Sequence, residues 1–227
     1  MKKSILMMTA FVICVALIAS PAIAETKFNL GITAGVAMAN ASEKDSAGTK
    51  SDFNKMKLGL AAGVFARIIP SEQFCIQPEI LYVMKGTKFD DEGTTTGQKV
   101  ELNYIEIPVM VKYLIPMEGN FKPNIFVGPY VGILASAKAK ATVDGVAEDE
   151  DIKDFVKSTD FGAAFGVGFD YKVGESGMLT FDARYSLGLS NIAKDAVGDE
   201  SIKNTCIAVK VGYAFEMGKK GAAEPKK

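Results

Sequence analysis

The stretch FGAAFGVGFDY, residues 161–171, places Phe161, Ala163, Phe165, Val167, Phe169 and Tyr171 on one parity and Gly162, Ala164, Gly166, Gly168 and Asp170 on the other. A helix would scatter these residues around its axis. In a strand successive side chains point to opposite faces, so the same letters give one greasy face and one nearly bare face. The fold turns on what each face meets.

The same period of two recurs on both sides of this stretch. Phe28, Leu30, Ile32, Ala34, Val36 and Met38 share a parity, as do Met56, Leu58, Leu60, Ala62, Val64 and Ile68. Phe74, Ile76, Pro78, Ile80, Tyr82 and Met84 follow, then Ile105, Ile107, Val109, Val111, Tyr113 and Ile115, then Ile125, Val127, Pro129, Val131 and Ile133. After 161–171 come Leu179, Phe181, Ala183, Tyr185, Leu187 and Leu189, and last Thr205, Ile207, Val209, Val211, Tyr213 and Phe215. The alternation predicts eight strands.

The opposite parity is polar, charged or small, with glycine and alanine that a soluble sandwich has no reason to place toward water. The connections alternate in length. Short turns at 70–73, 116–121 and 174–177 join strands two to three, four to five and six to seven. Long polar segments at 39–54, 87–98, 140–158 and 191–203 join the others. Every long connection therefore leaves the same end of the sheet, the layout of an outer-membrane barrel. Lipid offers backbone groups no partners, so a spanning sheet must close on itself. The expected fold is all-β, an eight-stranded antiparallel up-and-down transmembrane barrel. In it the aromatic parity of 161–171 faces lipid, with Tyr171 at an aromatic girdle. The bare parity faces a lumen only just wide enough for side chains, where Gly162, Gly166 and Gly168 make room for longer neighbours.

Lys2 and Lys3, an apolar run from Ile5 to Ile18, Pro21 and the ending Ala22-Ile23-Ala24 read as a secretory signal peptide, residues 1–24, in preference to an uncleaved anchor. Residues 25–217 form the barrel, and 218–227 a charged periplasmic tail. Losing Lys2 and Lys3 turns 26 basic and 27 acidic residues into 24 and 27, net −3, which does not suggest a nucleic-acid partner. Cys75 and Cys206 are the cysteines left, no disulfide framework, and both fall on the lumen parity near opposite ends. The chain has no histidine, which excludes Ser-His and Cys-His hydrolases, His-ligated zinc and most acid–base chemistry near neutral pH.

The segments GITAGV (31–36), FCIQPEILY (74–82) with MKG (84–86), LNYIEIPVMVKY (102–113), VGPYVGILASAK (127–138), DFGAAFGVG (160–168) and DARYSLGLSNI (182–192) resemble, in order, the outer-membrane β-barrel domain family of porin-like and PorT-type proteins. That resemblance implies a single eight-stranded barrel in the outer membrane and no shared enzymatic activity. Lys210, Gly212, Phe215 and Met217 resemble the terminal signal read by the barrel-assembly machinery, although GKKGAAEPKK continues beyond it.

The candidate site residues are the inward charges Arg67, Glu79, Glu106, Lys112, Asp170, Asp182, Arg184 and Lys210, read as a structural network rather than catalytic carboxylates, because buried charges in a narrow barrel need partners. Arg184 is expected against Glu106 and Glu79. The acidic run 148–154 is read as a solvated surface rather than a cation site through Asp149, Asp151 and Asp154. Pro108 and Pro129 predict a bulge or kink. No cofactor, metal or catalytic residue is expected; the partners are outer-membrane lipid and the assembly machinery. The reading is a structural or interaction protein with loops outside the cell and a filled lumen, which the bulky inward Tyr104, Phe126 and Tyr130 favour. The alternative is a narrow passive porin-like channel for small solutes.

Overall fold

The computed structural model describes residues 26–44, 50–51, 55–90, 97–143, 146–174, 177–194 and 201–217; the expected signal segment 1–24 and tail 218–227 lie outside them. The strands are β1 (Lys27–Lys44), β2 (Lys50–Ser51), β3 (Lys55–Ser71), β4 (Phe74–Asp90), β5 (Gly97–Leu114), β6 (Phe121–Val143), β7 (Val146–Asp151), β8 (Thr159–Val173), β9 (Gly177–Gly188) and β10 (Ser201–Glu216). Pairing runs antiparallel through β1, β3, β4, β5, β6, β8, β9 and β10, and β10 returns to β1 from Asn29 opposite Glu216 to Lys44 opposite Ser201. This ring of eight has no free edge, which is what a sheet needs in lipid. β2 and β7 are short additions to the ends of β1 and β6.

The two parities separate as side-chain chemistry dictates. Ile32, Leu58, Leu60, Ile80, Val127, Val167 and Val209 stand exposed around the outside. In water so broad an apolar surface would drive association, whereas in a bilayer it is the matching surface. At the short-turn end the outward residues become aromatic. Phe74 meets Tyr113 edge-on at 5.5 Å, Phe121 and Phe169 lie 5.2 Å apart, Phe169 stacks on Phe181 at 4.4 Å, and Tyr213 meets Phe215 at 4.8 Å. Tyr171, exposed two residues beyond Phe169, belongs to this belt.

Inside, the glycines of 161–171 answer the opening pattern. A Cβ on Gly162 would strike the Tyr130 ring, one on Gly166 the Phe126 ring, and one on Gly168 the Asp182 carboxylate. β8 is bare on its inner face because the Tyr130 and Phe126 rings of β6 and the Asp182 carboxylate of β9 occupy that space.

Two expectations are corrected. The strands run on into segments read as long polar loops. β6 has 23 residues, about twice the roughly 9–11 needed to cross a bilayer, so the wall rises above the membrane at the long-connection end. The prolines cause no register shift either. The β4–β5 register is the same before and after Pro108, as is the β5–β6 register beside Pro129; only the pairs next to each proline drop out. A fixed φ near −65° fits a twisted strand, so the effect is confined to the missing N–H. The irregularities lie elsewhere. One falls at Ala135, between Tyr104 opposite Leu134 and Asn103 opposite Ser136, so that Ala137 rather than an even-numbered residue turns inward. Another shifts β3 against β4 between Ala61–Val83 and Met56–Thr87, where Gly86 has φ 128°. There a side chain would be strained and would strike the Val100 carbonyl.

Candidate functional site

The lumen holds all eight of the expected charges, and all of them are buried. Near the short turns, Arg67 on β3 reaches Asp170 on β8 at 2.5 Å; its other nitrogens donate to Met178 Sδ at 2.7 Å and Cys75 Sγ at 3.5 Å. One level higher, Arg184 on β9 grips Glu79 on β4 with two bonds, Nη2 to Oε1 at 2.6 Å and Nη1 to Oε2 at 3.0 Å. The same carboxylate accepts from Lys210 Nζ at 3.0 Å and from Gln77 Nε2 at 2.8 Å. Lys112 Nζ donates to Asp182 at 2.9 Å, and Asp182 also lies 3.9 Å from Arg184. The Phe126 ring completes this layer, with Lys112 Nζ 5.0 Å and the Arg184 guanidinium 5.4 Å from its centre.

Glu106 is not with Arg184. It pairs with Lys85, which also lies 3.6 Å from Asp160 and 4.7 Å from the Tyr130 ring centre. Asp160 is held by Ser190 Oγ at 2.8 Å, Asn204 Nδ2 at 3.0 Å and Tyr130 Oη at 3.4 Å. Neither Lys85 nor Asp160 is among the charges expected from the sequence, although Lys85 shares the inward parity of Glu79. Asp160 continues the inward parity of 162–170 by one step, so the signal was available. Among the described residues Lys57 is a further buried cation, donating to the Lys85 carbonyl at 3.3 Å.

Across the ring order, β3 and β8 stand four places apart of eight, and so do β4 and β9. Arg67–Asp170 and Arg184–Glu79 are therefore struts across the diameter, not links between adjacent strands. Met110 and Tyr130 pack with Phe126 in the same lumen, and Tyr104 lies beyond them toward the long-connection end, all three almost completely buried. Each deep carboxylate has a cation beside it, the condition under which such charges are tolerated away from water.

The remaining candidates sit on the wall. Lys210 and Gly212 are buried inward, Phe215 and Met217 are exposed outward, and Met217 N donates to Phe28 O at 3.0 Å. The acidic run forms β7 and the turn after it. There Asp149 lies 3.8 Å from Lys138 and 3.7 Å from Lys140, and Asp151 accepts from the Lys153 N–H. Among the described residues no group of three or more Asp, Glu or Cys side chains is arranged to hold a metal ion.

Residues 20–194, well over half the chain, match the outer membrane protein beta-barrel domain family, and the chain belongs to that family. Its location is the outer membrane. None of the curated proteins matches it. Similar solved structures include Neisserial surface protein A, 15% identical over 83% of this chain and 97% of that one, with a TM-score of 0.41. The outer membrane protein OprG from Pseudomonas aeruginosa is 14% identical over 85% and 95%, with a TM-score of 0.44. A major outer membrane protein from Thermus thermophilus is 12% identical over 85% and 99%, with a TM-score of 0.48.

Proposed function

We propose that this outer-membrane barrel is a structural or interaction protein with a sealed lumen, and not an enzyme. The observation that carries the reading is the pair of diametral struts, Arg67–Asp170 and Arg184–Glu79, the second with the buried Phe126 ring against its guanidinium. Acid–base catalysis needs a titratable group within reach of a substrate, and these carboxylates are both neutralised and enclosed. The long connections face the exterior and the short turns the periplasm, as in bacterial barrels generally. Outer-membrane lipid covers the apolar belt, and the assembly machinery reads Lys210, Gly212, Phe215 and Met217 on the last strand. Planar-bilayer recording tests the seal: the wild-type barrel should give no conductance steps, and steady unitary currents would refute it.

One observation favours the rival reading, a narrow passive channel for small solutes. Both amide atoms of Asn124, with Asp170 Oδ1 and Gln77 Oε1, are buried without a protein partner among the described residues. Such positions suit ordered water. The same recordings separate the two readings, since isolated waters between struts carry no current and a continuous file does.

A further inference from the structure

The charge network does not continue to the long-connection end of the lumen. Above Tyr104 the inner wall turns apolar, with Leu102, Leu134, Ala137 and Ile192 packed together and Val100, Ile152, Val156 and Ile202 against them. Lumen-facing residues of an outer-membrane barrel are ordinarily polar, and those at its mouth meet water rather than lipid. Here the mouth instead holds a partly open cavity of about 230 Å³, walled chiefly by Val100, Leu102, Ile152, Phe155, Val156 and Ile192. No charged side chain lines it. The hydroxyl of Thr87, the polar side chain on its wall, is hydrogen-bonded to Asn40 Oδ1 at 3.0 Å.

The walls are fixed by backbone bonds, so the cavity is preformed. Residues 152–158 return along β6, with Ile152 N donating to Ala137 O at 3.1 Å, and bridge to the segment after β9 at Val156 and Ala193. Lys157 N donates to Ile192 O at 2.7 Å and Ile192 N to Ile202 O at 2.9 Å. Phe155, on a single turn of 3-10 helix, is 66% exposed at the lip.

The geometry points to a binding site for a small uncharged apolar molecule, a single-ring aromatic or short alkyl chain, at the exterior mouth of the barrel. A dry apolar cavity of about 150 Å³ admits a benzene-sized guest, and drug-sized sites begin near roughly 300 Å³, so this volume selects the small end of the range. The uncharged walls exclude ions, because a buried charge here would find no partner. Tyr104 packs against Leu102 and Ile192 on the side of the charged layer, with Lys85 Nζ 5.5 Å from its ring centre and paired to Glu106, so the guest is held at the surface rather than passed through. The inference goes beyond the sealing role and is independent of whether the lumen conducts.

Full-length protein in lipid nanodiscs, isotopically labelled at isoleucine and valine methyls, would be titrated with toluene. Saturable shifts at Ile152, Val156, Ile192 and Ile202 are expected, against a linear drift at lipid-facing Ile32 and Val209. Benzoate should give no saturation. Val156→Phe and Ala193→Leu, which fill the cavity from two different segments, should abolish it while keeping the heat-modifiable gel mobility of a folded barrel; either folded variant suffices. Non-saturating toluene shifts, saturation that survives a filled cavity, or equal binding of benzoate would overturn the assignment.

Discussion

Removing Arg184 probes the lumen network where its partners are best defined. Breaking one side of a buried pair generally costs about 3–5 kcal/mol, because the other charge is left uncompensated. Here the two sides are unequal. Arg184→Ala leaves Glu79 with Lys210 at 3.0 Å and Gln77 at 2.8 Å, and leaves Asp182 with Lys112 at 2.9 Å. No carboxylate is orphaned, which places the loss near the lower limit, about 3 kcal/mol. Glu79→Ala instead leaves Arg184 with only Asp182, 3.9 Å away, and takes from Lys210 its one ion-pair partner among the described residues. Two cations then face a widened cavity, and the loss should approach about 5 kcal/mol. The double variant should lose less than the sum, since it removes a bidentate pair together and strands Lys210 alone. Equilibrium urea unfolding in lipid vesicles, followed by the heat-modifiable gel band, measures all three. The reasoning is refuted if Arg184→Ala lies within about 0.5 kcal/mol of wild type, the scatter of ordinary surface changes, or if Glu79→Ala is the milder of the two.

Three further outcomes follow from the fold. A closed ring without edges resists detergent, so unboiled and boiled samples should migrate differently in SDS; identical mobility together with recovery in the soluble periplasmic fraction would count against the barrel. Cys75 and Cys206 should stay as free thiols: a disulfide needs Cα atoms within roughly 7 Å, whereas Cys75 lies opposite Lys112 at the short-turn end and Cys206 opposite Ala39 toward the long-connection end. Non-reducing mass spectrometry finding an internal 75–206 bond would contradict the strand order. Gly166→Leu should destabilise by at least about 1–3 kcal/mol, because its side chain meets the Ala183 carbonyl and the Phe126 ring, and Phe126→Ala in the same chain should recover part of that loss. Equal stability of Gly166→Leu and wild type would mean that β8 does not carry the ring.

Strand number, closure and the inside and outside faces were legible because period-two alternation survives in every segment and each slip by one residue would expose the wrong face. Backbone detail was not legible. The bulge at Ala135 sits in ILASAKAK, where small and polar residues leave the two faces nearly alike, so the change of parity to Ala137 carries no hydrophobic signal. Pro108 and Pro129 misled in the opposite direction: proline forbids one hydrogen bond, and a ring of strands absorbs that loss without changing register. The apolar mouth escaped notice because Ile152, Val156, Ile192 and Ile202 are scattered among charged residues in segments whose average composition is that of a loop.

Parity can say that a charge points inward, but not at what height or against whom. Arg184 and Glu79 are 105 positions apart and lie on opposite sides of the ring, so their contact depends on the accumulated stagger of four strand pairings. Glu106, equally inward, lies at the level of Gly132 and Asp160 and is taken by Lys85. This dependence on stagger gives the network a role beyond filling space. A register slip of two residues in any one pairing would keep every apolar side chain in lipid, yet would move an arginine away from its carboxylate across the bore. Alternation excludes odd slips, and the diametral pairs discriminate against even ones. The lumen charges thus select one barrel among several that the lipid-facing pattern alone would allow.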